Sequence, residues 1–543
     1  MESSKLMTVN TPLVLKSKAE VGTSFKYRSQ LDPEPDAITL APKSPSWIDV
    51  WPQVLASFIA LGTLIQVGIN MAYSGVLIPQ LAEDPDIKEF TKKQASWIAS
   101  LVAICQPIGA FIVGLLMDYF GRKKTCIMSN VPLVVCWTMI YFTKHSLWPV
   151  YVARMLAGIA GGMATVGTVY TAEIANAQFR PMLLSVNSVN TAFGILLATI
   201  CGVYVEWHLS ALIYGLLALI SFWLSFFLPE SPYWLASLTD TPSKKVKNQV
   251  QYLNRNKWLF DEEWAVIQGI IDERKKGVIQ EERASERKEN PLGFIKKFCV
   301  RTSYVPFLLL MMLFLLQQTS GTYVVIFYTV NIFKTIGGDF GTGFDEYSAT
   351  ITLGVLRFIM SLISAVLSKM LGRRVLLISS SAGMAVSAFA TAIFLKLNNI
   401  SRIPFESDNS STYLLSQSGN ATIIVKEVVN TDLLVDSRWI LISVLIFVSA
   451  SALGQMVIPW TMIGELLPTN IRASGSGLIV ACTSVILFIV IKTFPYLTDL
   501  ITMPFVFVSY SVISVLAIIF TYFYLPETLG KNLAEIAKYF EKS

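Results

Sequence analysis

The sequence predicts an all-α membrane protein with twelve transmembrane helices in two six-helix pseudo-repeats. Three observations lead there. Of 543 residues, 53% are hydrophobic and only 15% charged, which is too apolar for a water-soluble chain of this length. Uncharged runs recur that exceed the ~18 residues marking a membrane helix. Charge-bearing motifs between the early runs also return between the late ones.

Six long runs stand out, at 51–81, 95–117, 181–205, 302–333, 439–464 and 501–526. Shorter runs at 125–142, 147–172 (around Arg154), 208–228, 347–368 (around Arg357), 375–395 and 473–491 bring the count to twelve. The implied organisation is a polar, proline-bearing tail over 1–46, a six-helix bundle over 47–229 and a charged linker over 230–301. A second bundle covers 302–525, with a long loop at 396–437, and a short tail covers 526–543. The first tail lacks an apolar signal core and reads as disordered.

Lys and Arg are retained on the cytoplasmic side of a membrane. Arg122-Lys123-Lys124, Arg180, Arg373-Arg374 and Arg472 all fall in alternate loops of one parity, so those loops and both termini are expected in the cytoplasm. Asn399, Asn409 and Asn420 each begin an Asn-x-Ser/Thr acceptor for N-linked sugar. All three lie in the 396–437 loop, which the charge rule places outside.

The net charge of +6 is modest and is spread between spans, so nucleic acid is not an expected partner. The expected partners are the lipid bilayer and a small solute, with oligomeric state unspecified. Six cysteines, mostly inside apolar runs, imply no disulfide framework. The chain has only His145 and His208, neither at catalytic or metal spacing from a carboxylate or cysteine. An enzyme is the least expected class, and no cofactor or metal is called for.

The repeat can be read by comparing the chain with itself. Gly121-Arg122-Lys123 after span two answers Gly372-Arg373-Arg374 after span eight. Glu173 with Arg180 answers Glu465 with Arg472, and Pro229-Glu230-Ser231 answers Pro526-Glu527-Thr528. Duplicated halves around a mid-depth site form one plan for alternating access. The arginines are expected to reach Glu173, Glu230, Glu465 and Glu527, closing the cytoplasmic side when paired. Asp118, Arg122, Arg180, Arg373, Arg374 and Arg472 complete that gating set, against the plainer reading of topology and helix-end anchoring.

At these residues the chain resembles the sugar porter family of the major facilitator superfamily. The resemblance runs through Gly114, Asp118 and Gly121-Arg122-Lys123; Arg154, Gly158, Gly162, Tyr170, Glu173 and Arg180; and Pro229-Glu230-Ser231-Pro232. It continues in Gln317-Gln318-Thr319-Ser320-Gly321, in Pro459-Trp460, Glu465, Pro468 and Arg472, and in Pro526-Glu527-Thr528. The resemblance implies the major facilitator fold, a facilitative carrier of a hexose or disaccharide, and a plasma-membrane location. It also implies short cytoplasmic helices between the halves, for which 261–276 is a candidate, with Trp264, Ile267, Ile270 and Ile271 at helical spacing.

The resemblance further implies that Gln317 and Gln318 hydrogen-bond sugar hydroxyls while Trp460 packs on the ring. A neutral amide both donates and accepts, as a hydroxyl does, without the desolvation cost of a charge. Interhelical glue is the alternative for the glutamines, and packing filler for Trp460. The chain departs from the family at two sugar-contact positions, with Tyr323 and Arg357 where asparagines are usual, and at Tyr233, where an arginine is usual. Arg357 lies near mid-span, where a charge is costly. It either reaches carbonyls or a wet crevice, binds an anionic solute, or locks the pathway of a sensor that no longer transports. Asn70 occupies the neighbourhood where proton-driven sugar porters carry a carboxylate, and it cannot titrate, so facilitated diffusion is expected.

Overall fold

The computed structural model describes residues 46–85, 90–143, 146–176, 179–238, 243–275, 300–336, 346–398, 400, 436–467, 472–528 and 540. The three sequons at Asn399, Asn409 and Asn420 lie outside the described residues, as does the side chain of Arg472. Among the described residues twelve helical spans are present: Trp51–Glu83, Lys92–Phe120, Arg122–Phe142, Trp148–Ile174, Met182–Tyr204, Trp207–Ser225, Arg301–Thr319, Tyr347–Ser368, Arg373–Leu397, Ser437–Ile463, Gly475–Thr498 and Met503–Tyr524. Each sequence run falls on one of them. Large apolar side chains such as Phe111, Val386 and Phe523 are more than 70% exposed, as expected where lipid rather than water is the solvent and only helices satisfy the backbone.

Apolarity did not announce where helices break. Span seven continues past Thr319 through Gly321, whose φ of 89° starts a new short helix, Thr322–Phe327. A Cβ at Gly321 would run into the Tyr510 ring, so that turn needs glycine both for its dihedral and for space. Span ten likewise ends one helix at Leu453 and restarts at Ile458.

The pseudo-repeat is visible in which helices touch. In the first half span one packs on five, two on four, three on four and three on six; in the second, seven packs on eleven, eight on ten, nine on ten and nine on twelve. The contacts between halves, two with eleven and five with eight, obey the same shift of six.

The linker helices Pro232–Leu238, Ser243–Leu253 and Lys257–Lys275 attach to the first half. Gln53 donates to Asn254 at 2.8 Å, and Asn256 to Asp49 at 2.9 Å. Ile267 is fully buried, with Trp264, Ile270 and Ile271 beside it, which is the face the spacing predicted.

The apolar core is continuous at only one end. Away from the linker, a single cluster includes Tyr73, Trp137 and Tyr214 of the first half and Phe327, Phe447 and Phe507 of the second. At the linker end the cores are separate: one around Val113, Val166 and Tyr170, the other around Leu313, Met462 and Leu525. Bridges between halves follow the same asymmetry. At the distal end Lys334 pairs with Glu83 at 3.0 Å, Ser96 donates to the Lys492 carbonyl at 3.2 Å, and the Lys492 ammonium sits 3.8 Å from the Trp97 ring centroid. Near the linker end, Gly114 of span two and Gly477 of span eleven face open space.

Candidate functional site

At the linker end of each half, one carboxylate caps a helix and another holds an arginine. Glu230 accepts from the backbone N–H groups of Arg122 and Lys123 at 2.8 and 3.0 Å, at the start of span three. Glu527 does the same for Arg373 and Arg374 at 2.9 and 3.2 Å, at the start of span nine. Negative charge is favoured there because unpaired N–H groups and the helix dipole both attract it. Glycine at 121 and 372 leaves the room, since a Cβ at either would press on the carboxylate.

The side chains complete the motif. Arg122 meets Glu173 at 2.6 Å and Arg373 meets Glu465 at 3.1 Å. Ser231 and Thr528 donate to the second oxygens of those glutamates, each at 2.5 Å. Each network therefore lies within one half. This corrects the expectation that the arginine side chains reach Glu230 as well, because that carboxylate is engaged by backbone donors.

Three other members of the expected gating set also stand apart. Asp118 is exposed and joins no ion pair among the described residues; only its carbonyl is engaged, by the Trp234 indole at 3.4 Å. Arg180 donates to the Ala175 carbonyl at 3.1 Å and leaves Nε unpaired. Arg374 lies over the Tyr522 ring, 5.2 Å from its centroid, and donates to the Tyr522 carbonyl. At Tyr233 the phenol donates to Glu263 at 2.6 Å. Burial first, and then this carboxylate, hold the phenol above its ordinary pKa, and the bond joins two helices of the linker, Pro232–Leu238 and Lys257–Lys275.

Between the halves lies a narrow crevice lined by Asn70, Met71, Gln106 and Gly161 of the first half and Phe327 and Leu487 of the second, together with four smaller apolar contributors. No charged side chain lines it. Gly161 therefore does not share the packing role of Gly158 and Gly162, which press against span two, and instead opens onto this space. Gln106 carried no signal of its own in the sequence, since one amide in an apolar run reads as helix glue.

The five expected solute contacts lie outside this crevice, and four of them gather elsewhere. Tyr323 is buried with its hydroxyl beside Gln318 and Trp460 and within electrostatic reach of Arg357. Gln317 turns toward span ten, donating to the Gln455 carbonyl at 2.7 Å, so one of its polar ends does serve as glue. The amide oxygens of Gln317 and Gln318 are both buried without a partner. Trp460 is half-buried and packs edge-on to Phe314 at 4.9 Å.

Two arginines lie in the span interiors under different conditions. Arg154, fully buried, donates to the carbonyls of Ile98 and Asn70 at 3.2 and 3.1 Å and to the Ser74 hydroxyl, leaving Nη1 without a partner among the described residues. Arg357 is 5% exposed, and its Nε and Nη1 have no partner. A charge at this depth costs about 3 kcal/mol or more, and carbonyl pairing offsets that cost at Arg154 but not at Arg357.

Residues 55–540 match the family described as sugar (and other) transporter. The chain is 29% identical over 498 residues to a facilitated trehalose transporter of Polypedilum vanderplanki, covering 90% of this chain and 88% of that one. It is also 29% identical to the counterpart in Aedes aegypti, but spans only 55% of that longer protein. Among solved structures it resembles the proton:xylose symporter XylE bound to 6-bromo-6-deoxy-D-glucose, with a TM-score of 0.66 at 21% identity over 91% of this chain and 99% of the other. An inward-open XylE from E. coli gives 0.64 at 20% identity, covering 90% and 99%. These structures share the fold. Matched over nearly its whole length, this twelve-span chain belongs to the sugar (and other) transporter family.

Proposed function

We propose that the chain is a facilitative sugar carrier working by alternating access, with both termini and the linker in the cytoplasm of a plasma-membrane protein. The observation that carries this reading is the one-sided joining of the halves. A shared core and the Glu83–Lys334 pair close the distal end, while Gly114 and Gly477 stand unopposed at the other. Such an arrangement corresponds to one of the two end states a rocking carrier must visit.

The charge pattern of the loops supports the orientation, with Asn399, Asn409 and Asn420 as exterior sugar acceptors. The names of the relatives support a sugar, and the buried amides of Gln317 and Gln318, whose oxygens have no partner among the described residues, support a solute rich in hydroxyls. In this reading the two glutamate–arginine networks stiffen each half so that it moves as a body, and the gate is the contact that forms between halves at the linker end.

Counterflow in proteoliposomes tests the proposal. Vesicles preloaded with unlabelled glucose or trehalose should take up the labelled sugar faster than empty ones, without accumulation driven by a pH gradient. Unstimulated uptake of both sugars would overturn sugar carriage, and gradient-driven accumulation would overturn facilitation.

A further inference from the structure

The surroundings of Arg357 show two matched deficits. On the donor side, a guanidinium that keeps its charge even when buried has Nε and Nη1 without partners, and none of the ion pairs among the described residues includes it. On the acceptor side, the amide oxygens of Gln317 and Gln318 are buried and unmet. Tyr323 relates the two, with its hydroxyl beside Gln318 and within electrostatic reach of Arg357. The purely structural explanation, an arginine pinned to backbone carbonyls, is what Arg154 displays in the same molecule and Arg357 does not.

A ligand that cancels both deficits must present an anion to Arg357 and hydroxyl donors to the glutamines. We propose that the carrier takes a sugar acid, a polyol bearing one carboxylate, with the carboxylate on Arg357 and the hydroxyls on Gln317 and Gln318. A single cation matches a singly charged carboxylate better than a doubly charged phosphate ester. Carboxylate is also a group guanidinium binds well, by charge-assisted hydrogen bonds. Trp460 offers a ring to the apolar face of the sugar. This inference rests on the sugar-carrier reading and narrows its substrate.

Uptake of labelled D-glucuronate and D-glucose by full-length protein in proteoliposomes tests it. Wild type is expected to move glucuronate. Arg357→Gln should lower the ratio of glucuronate to glucose flux about thirtyfold or more, the usual consequence of removing one partner from a buried charge pair. Arg357→Lys, which keeps the charge but loses the planar donor array, should fall between. Glucuronate transport should also evoke a current on a supported membrane that glucose does not, a readout that needs no variant. Glucose flux without glucuronate flux, an unchanged ratio of the two fluxes in Arg357→Gln, or glucuronate flux without current would overturn the inference and leave the sugar-carrier reading intact. Flux of neither solute would overturn the inference, and failure of trehalose counterflow as well would overturn the sugar-carrier reading.

Discussion

Arg122 closes on Glu173 at 2.6 Å within the first half, and at the equivalent place in the second half Arg373 closes on Glu465 at 3.1 Å. All four side chains are less than a third exposed, so solvent screens these pairs less than surface ones. Because each pair stays inside its own bundle, coupling should follow the halves. Arg122→Ala is expected to cost about 1–2 kcal/mol, between the values for surface and buried pairs. A double-mutant cycle with Glu173→Ala should show a clear interaction energy in thermal unfolding. The cycle between Arg122 and Glu465 should be additive to within about 0.5 kcal/mol; strong coupling there would mean that the networks latch the halves to each other.

The exposed Glu83–Lys334 pair adds little stability on its own, but it marks where the halves meet. Glu83→Cys combined with Lys334→Cys should therefore form a disulfide on mild oxidation. Sugar uptake should stop in the oxidised protein and return on reduction. Undiminished uptake by the cross-linked carrier would show that this end does not have to open.

Glycines at opposite ends of the second and seventh spans should respond differently to substitution. Gly321→Ala forces a Cβ onto a left-handed residue and into the Tyr510 ring, and should destabilise the protein by about 1–3 kcal/mol. A Cβ added at Gly114 meets nothing within 4 Å in the observed state, so Gly114→Ala should leave both melting and transport near wild type, and Gly114→Trp is the informative variant. Its transport should fail, because the added indole obstructs closure at the linker end. Retained transport in Gly114→Trp would place the moving contact elsewhere.

Asn70 lines the crevice, and its carbonyl accepts from Arg154 at 3.1 Å. No group that titrates near neutrality lines the crevice, so wild-type uptake should be flat between about pH 5.5 and 8. Asn70→Asp places a carboxylate beside a buried cation, and uptake should then acquire pH dependence. A steep profile in the wild-type protein would contradict facilitated diffusion and point to a coupling group elsewhere.

The fold was legible because a bilayer imposes a one-dimensional code. Length and apolarity identify a span, and flanking charge gives it a direction. The repeat was legible too, because Gly121, Arg122, Glu173 and Glu230 must recur together for the same local geometry to form twice. The linker helix around Ile267 was expected from the family resemblance, and its helical spacing marked the face that is buried.

Composition could not tell which donor each carboxylate would meet. Glu230 and Glu527 read as partners for arginine side chains and proved to cap the starts of spans three and nine, because a helix N-terminus carries a partial positive charge that no single residue spells out. The breaks at Gly321 and after Leu453 were hidden inside apolar runs, and Gln106 looked like any amide in a span until the halves were brought together. Arg154 and Arg357 are the sharpest case, since both read as a lone arginine in an apolar segment. Sequence therefore determined the number of spans, their halves and the charges available. Tertiary structure alone decided which charges are satisfied, because hydrogen bonding depends on atoms from helices far apart in the chain meeting within about 3 Å.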